Sequence, residues 1–225
     1  MDSRGHELKI SKNVLILPNA SIDIRKKLAA EGRDDQEITK TIKNTGIKSL
    51  RISQSNSLSE FIFQGLFKIK EVDKNFFDNV DSIIVVSQSF DERIPSLSTR
   101  IQNKLGLEEN IFCLDIMDGC SGYIKSLSLA QMLHSQSYEK TLIIAGDINS
   151  KMTETSDIGT KILFGDGISI SIIEKCKNVL ESRLFNRGDN EDIISCSVNQ
   201  GSMLMNGFEV FTFTKKEFQS LLQTI

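Results

Sequence analysis

Residues 111–123 read Ile111-Phe112-Cys113-Leu114-Asp115-Ile116-Met117-Asp118-Gly119-Cys120-Ser121-Gly122-Tyr123. The opening six are mostly apolar, and a short run of this kind predicts a buried strand over Ile111 to Ile116. Asp118 to Gly122 carries two glycines, an aspartate and a serine, the composition of a turn. Tyr123 to Gln136 then predicts a helix. A buried strand, a tight turn and a helix in succession make up the working unit of an α/β fold.

The same alternation extends in both directions. Upstream, Ser82 to Ser87 is rich in β-branched residues and predicts a strand covered on both faces, as in a parallel sheet. The polar stretch Gln88 to Ile94 leads to Pro95, which is expected to start a helix ending at Leu105 before Gly106. Downstream, Thr141 to Gly146 predicts another buried strand. Gly167 to Ile173 alternates cleanly and predicts an antiparallel or edge strand, and Ile193 to Val198 one more. Nearer the N-terminus, Glu7 to Leu17 predicts the first strand, and Asp34 to Asn44 a charged helix stopped by Gly46. Ser57 to Lys68 predicts a helix with capping-box spacing between Ser57 and Glu60. Phe208 to Leu222 closes the chain as a helix.

Composition excludes several classes. Basic residues number 27 against 30 acidic in 225, so no global positive charge is available to grip a phosphate backbone. With 39% hydrophobic and 25% charged residues the chain is neither disordered nor of low complexity. No apolar run approaches the roughly twenty residues of a membrane span. The polar start, Met1 to Ile10, has no signal-peptide core, which makes a cytoplasmic location the expectation. The four cysteines, Cys113, Cys120, Cys176 and Cys196, form no close pair, and the two histidines are His6 and His134. Neither structural zinc nor a disulfide scaffold is expected, and no metal site is assigned.

Cys120 is the candidate nucleophile. It follows a predicted strand and sits at the expected first turn of a helix, where unpaired N–H groups and the helix dipole favour an anion. The thiolate is the reactive form, so this placement assists activation. Gly119 and Gly122 flank it and let the chain turn sharply. Cys113, Cys176 and Cys196 lack this context and are read as ordinary buried thiols.

The segment Ile111 to Tyr123 resembles the nucleophile region of the β-ketoacyl-acyl-carrier-protein synthase III family, whose fold is thiolase-like. Further matches follow in order: Thr45-Gly46-Ile47 with Arg51; Ile84-Val85-Val86-Ser87 with Pro95-Ser96 and Leu105-Gly106; Phe164-Gly165-Asp166-Gly167; and Met205-Asn206-Gly207 with Glu209-Val210-Phe211. The resemblance spans nearly the whole chain. It implies a mixed sheet flanked by helices, with residues 1–225 as the N-terminal domain, one half of a pseudo-duplicated pair, and the C-terminal half absent. It further implies acyl transfer to Cys120 from a coenzyme A or acyl-carrier-protein thioester. Condensation with a malonyl-type thioester would follow, as in fatty-acid biosynthesis, without a cofactor. Asp166, in the Phe-Gly-Asp-Gly turn, is expected to be structural.

Departures from the family pattern shape the remaining expectations. The family takes a histidine and an asparagine from its second half, and no counterpart is found here. His134 would lie about 21 Å from Cys120 along a straight helix and is expected to be a surface or partly packed residue. His6 has no supporting motif. A condensing enzyme completed by another chain and a non-catalytic subunit supporting a partner are therefore both open. Lys40 and Asn44 stand where the family holds the nucleotide of coenzyme A with an aromatic residue and an arginine, and Asp157-Ile158-Gly159 lacks a second arginine. Carrier-protein recognition through Lys40, Lys43 and Lys48 and a merely solvated helix face are both compatible with this pattern. Phe90 and Ile94 are candidates for contact with a second subunit's acyl pocket in a homodimer or heteromer, against the alternative of an exposed loop. Asp118 either caps the helix or opposes thiolate formation by like charge.

Overall fold

The computed structural model describes residues 7–153, 157–176, 182, 184–186, 188, 192–197 and 202–222. The strands are β1 (Glu7–Ile16), β2 (Ser21–Asp23), β3 (Ser49–Arg51), β4 (Ser82–Val86), β5 (Phe112–Ile116), β6 (Lys140–Ile148), β7 (Asp166–Cys176), β8 (Ile194–Cys196) and β9 (Met203–Met205). The helices are α1 (Ile24–Ala30), α2 (Asp35–Thr45), α3 (Leu58–Val72), α4 (Leu97–Leu105), α5 (Gly122–Gln136), α6 (Asn149–Met152), α7 (Ile158–Lys161) and α8 (Gly207–Leu222). The chain divides into two compact units. The first comprises Met1–Ala20, Ser53–Ile148 and Asp166–Leu184; the second comprises Ser21–Ile52, Asn149–Gly165 and Phe185–Ile225. No described helix is long and apolar enough to cross a membrane.

The first unit is built on a five-stranded mixed sheet in the order β1-β7-β6-β4-β5. β4 runs parallel to both β5 and β6, while β7 runs antiparallel to β6 and β1. Every residue of β4 is buried, as its unbroken apolar run requires of a strand with neighbours on both sides. β5 departs from expectation: its residues are only half-buried, because it is the edge strand of this sheet. β7 is antiparallel but interior. Its alternation separates Ile168, Ile170 and Ile172, in the main core, from Ser169 and Ser171 on the other face, where Asn13 Nδ2 donates to both hydroxyls.

α3 and α4 cover one face of the sheet and α5 the other. Phe61, Ile62, Leu66 and Ile69 of α3 and Ile101 and Leu105 of α4 join Ile83, Val85, Leu142 and Ile144 of the sheet. Leu127, Ala130 and Leu133 of α5 pack on Ile84, Val86, Ile143 and Ile173. Ser57 caps α3 through the Glu60 N–H at 3.1 Å, as the spacing predicted, and the helix extends past Lys68 to Val72. α4 begins at Leu97 rather than at Pro95. The Asp115 carboxylate accepts the Leu97 and Ser98 N–H groups, so a residue of the adjacent strand sets where this helix starts.

In the second unit α1 and α2 pack with β3 and α7 through Ile24, Leu28, Ile38, Leu50 and Ile162. Asp34 caps α2 by accepting the Gln36 and Glu37 N–H groups, and Gly46, at φ 72°, ends it as expected. The predicted strand over Ile193 to Val198 is β8, paired antiparallel with β9; Val198 lies outside the described residues. The terminal helix, α8, is present and carries exposed Phe208, Phe211 and Phe218.

Candidate active site

The parallel register of β4, β5 and β6 brings their C-terminal ends to one edge of the sheet, the place where open α/β sheets present their chemistry. Cys120 lies there, on the turn between β5 and α5, and its thiol is free and exposed. The helix starts slightly later than expected, with Ser121 at the N-cap and Gly122 the first helical residue, so Cys120 belongs to the turn itself. The Gly122 N–H donates to the Gly119 carbonyl at 2.9 Å and the Lys125 N–H to Ser121 at 3.0 Å. A side chain at Gly122 would be driven into Val86, and one at Gly119 would meet the Gln88 amide. The turn is therefore pressed against the end of β4, and the glycines are what permit this approach.

Of its two expected roles, Asp118 does not take the first. It does not cap α5 in the usual way; its Oδ1 accepts its neighbour's N–H, from Gly119, at 2.8 Å, with the Ser121 hydroxyl at 3.5 Å. Its Oδ2 pairs with Lys125 Nζ at 2.5 Å. Burial, the strongest single influence, pushes the carboxyl up. The hydrogen bonds from Lys125 and Gly119, with the Lys125 charge, outweigh it and hold the group below the usual carboxylate range. The negative charge beside Cys120 exists, but it is paired.

The loop after β4 is organised by another carboxylate. Asp147 Oδ1 accepts from the Ser87 hydroxyl at 2.6 Å, the Gln88 N–H at 2.7 Å, and both the N–H and hydroxyl of Ser89 at 3.0 Å. The Ser89 hydroxyl in turn takes the Ile148 N–H. Further along the same loop, Asp91 accepts the Leu58 and Ser59 N–H groups at the start of α3. Between these anchors Phe90 turns inward and packs on the main core, half-buried. Ile94 instead is 84% exposed. The two residues expected to act together at a subunit contact thus point into different surroundings.

Lys40 and Asn44 lie one helical turn apart on α2, in the second unit. They line a cleft of about 490 Å³ together with Arg33, Thr41, Asp157 and Gly159. The fold thus joins α2 to the Asp157-Ile158-Gly159 stretch that the sequence singled out separately. Asp157 faces back into its own short helix, accepting the Thr160 hydroxyl at 2.6 Å and the Thr160 N–H at 3.1 Å. The Thr160 hydroxyl bond is the main reason its carboxyl sits below the ordinary range.

His134 corrects an expectation. It is fully buried rather than a surface or partly packed residue. Nε2 lies 3.2 Å from the Thr141 hydroxyl, at the start of β6 and so at the opposite end of the sheet from Cys120, while Nδ1 has no partner. Burial drives its pKa down, so the ring is neutral at physiological pH. His6 lies outside the described residues. Asp166 is buried at the start of β7 and accepts the Ser53 N–H at 2.7 Å. Cys113 is half-buried, with burial pushing its thiol up, and Cys176 is also half-buried. Cys196 is exposed on β8, which departs from its reading as a buried thiol; it sits on a three-residue strand of a two-stranded ribbon, and no described element covers it. Sequence reasoning did not single out Lys125, Asp147 or Gln88. A lysine seven positions from its carboxylate leaves no periodic signal, and the Asp147 hydroxyl cluster joins residues 58 to 60 apart.

Residues 114–188, which contain this turn, match the family model for 3-Oxoacyl-[acyl-carrier-protein (ACP)] synthase III. The chain is 30% identical over 187 residues to the β-ketoacyl-[acyl-carrier-protein] synthase III of Streptococcus agalactiae, covering 77% of this chain and 58% of that protein. It is 33% identical over 172 residues to the enzyme of the same name from Acholeplasma laidlawii, covering 75% and 55%. Among solved structures, the 3-oxoacyl-(acyl-carrier protein) synthase of Burkholderia xenovorans superposes with a TM-score of 0.78 at 24% identity, over 97% of this chain and 68% of that one. The chain spans somewhat over half the length of the curated relatives it matches. In sequence it is similar to the β-ketoacyl-acyl-carrier-protein synthase III family, and its α/β fold is thiolase-like, as in the solved structures it superposes on.

Proposed function

We propose that this chain is the acyl-accepting part of a condensing enzyme and that Cys120 Sγ is its nucleophile. The observation that supports this reading best is an exposed thiol on a strand-to-helix turn, within the segment that matches the family model. The thiolate adds to the carbonyl carbon of an acyl thioester. The Cys120 backbone N–H is suited to receive the resulting oxyanion. Collapse of the adduct breaks the donor's carbon–sulfur bond. The acyl group stays on Cys120, and the donor leaves as a thiolate that takes up the proton Cys120 gave away. The second step follows the family resemblance: a malonyl-type thioester loses carbon dioxide, and its carbanion displaces Cys120 from the acyl carbon. Acyl-carrier protein and acyl-coenzyme A are the donors under this reading. Lys40 and Asn44 contact the donor, and the loop after β4 meets a second subunit through exposed Ile94, with Phe90 packed behind it.

A second reading, a non-catalytic subunit that supports an active partner, has one observation in its favour. The only described histidine, His134, is enclosed at the far end of the sheet, so decarboxylation would need groups brought by a partner chain or further polypeptide. Intact-mass spectrometry separates the readings. Incubation with acetyl-coenzyme A or acetyl-carrier protein is expected to add one acetyl group to the wild type and none to Cys120→Ala. Absence of an adduct from either donor supports the second reading, and an adduct that persists in Cys120→Ala overturns the first.

A further inference from the structure

We propose that the Asp118–Lys125 pair is a positioning device that holds the turn bearing Cys120 and cancels the charge that would otherwise oppose its thiolate. The inference rests on Cys120 being the nucleophile and concerns how its reactivity is set. Asp118 stands two residues before the thiol and bonds to the N–H of Gly119 and the hydroxyl of Ser121, one on each side of Cys120. Lys125 reaches back from the first turn of α5 to the other carboxylate oxygen at 2.5 Å. One carboxylate thus ties three points of the turn together. The pair is partly screened, with side chains 22% and 33% exposed, so its charges act on a nearby sulfur more strongly than fully solvated ones would.

A cation at the start of a helix is an unfavourable placement by the dipole rule. Lys125 occupies it while satisfying Asp118. The other groups on the elements packed around this turn do not duplicate the pair. Asp147, at the end of β6, is taken up by the Ser87–Ser89 loop. Asp115, on β5, is engaged by the start of α4. Gln88, against Gly119, is neutral. Cys113, on β5, packs on the core of the other sheet face. Asp118 and Lys125 are therefore the charged groups that belong to the turn itself, and they are opposite in sign.

Removing one member at a time should move the thiol in opposite directions. Lys125→Met leaves an unpaired carboxylate beside the sulfur and disfavours the thiolate; Asp118→Asn leaves an unpaired ammonium and favours it. Shifts of about half to one pH unit are expected, about three- to tenfold in thiolate fraction near neutrality. The readout is the pH dependence of Cys120 alkylation by iodoacetamide, followed by peptide mass spectrometry, with circular dichroism reporting folding. The reaction joins sulfur to carbon and releases iodide, and it needs no acyl donor. Failure of the acyl-transfer reading therefore leaves this measurement intact. The midpoint should rise in Lys125→Met, fall in Asp118→Asn, and return near the wild-type value in the double variant and in Lys125→Arg. Midpoints that stay put, or that move the same way in both single variants, overturn the proposal, because a purely structural brace would change rates without moving the midpoint in opposite directions. If Asp118→Asn does not fold, Lys125→Met against Lys125→Arg decides: the same midpoint in both overturns it.

Discussion

The loops that leave β4 and β5 start at the same edge of the sheet and use carboxylates in contrasting ways. The longer one, residues 87–96, is held from outside. Asp147 gathers its first three residues, and its own Asp91 grips the start of α3. The shorter one, residues 117–121, is held by its own Asp118 and by the helix that follows, through Lys125, with Gly119 and Gly122 pressed against the end of β4. The first arrangement converges N–H and hydroxyl donors, most of them part-buried, on one oxygen. The second uses an ammonium on a long, partly exposed stem. The difference separates a place where stability is stored from one where, under our proposal, reactivity is set. Neutral donors that have lost water cannot easily replace their acceptor, whereas a half-exposed ion pair contributes little to folding but defines the local charge.

The comparison breaks first at Asp147. Asp147→Ala leaves the Ser87 and Ser89 hydroxyls and two backbone N–H groups without their acceptor, and should cost about 2–4 kcal/mol in urea unfolding. A loss below about 1 kcal/mol would mean that water replaces the carboxylate. Next, the two glycines should behave differently. Gly122→Ala forces a methyl group against buried, β-branched Val86, at about 1–3 kcal/mol. Gly119→Ala meets only the flexible end of Gln88 and should cost less than about 1 kcal/mol. Equal costs would show that the turn is not pressed on β4 at Gly122. Asp115→Ala, which removes the acceptor for Leu97 and Ser98, should cost about 1–2 kcal/mol and fray the start of α4.

The smallest effect at neutral pH belongs to His134, at the far end of the same sheet. Its pKa in the fold is depressed, so the unfolded chain binds the proton more readily. Its contribution is complete above the ordinary histidine value of about 6.5. It is lost as pH falls, at up to about 1.4 kcal/mol per pH unit until the depressed value is passed. Urea midpoints measured between pH 7 and pH 5 should fall in the wild type. They should fall less in His134→Gln, which keeps a polar group near Thr141. Parallel curves would mean that the ring is solvated.

Much of the sheet was legible because its chemistry is local. Ile83 to Val86 has no polar residue to turn outward, so a central strand was the natural reading, and the Ser57–Glu60 spacing located the start of α3. The start of α4 was not legible, because the group that defines it, Asp115, sits on another strand. The half-burial of β5 was missed for a related reason: the apolar run Ile111 to Leu114 reads the same at an edge as in the middle, and only the strand order distinguishes them. His134 was misjudged because the usual half-exposure of histidine says nothing about what packs above this particular ring.

The sequence by itself determined the kind and order of the longer elements, and it marked Cys120 out as the candidate among four cysteines. Those rest on residue type, spacing and motif order along one stretch of chain. Tertiary structure alone decided that Asp118 is paired with Lys125, that Asp147 binds a loop some sixty residues away, and that α2 and Asp157 to Gly159 line one cleft. The physical reason is that charge and hydrogen-bond satisfaction are settled between segments. A carboxylate's behaviour depends on which donors the fold delivers to it, and those donors leave no mark on the residues beside it.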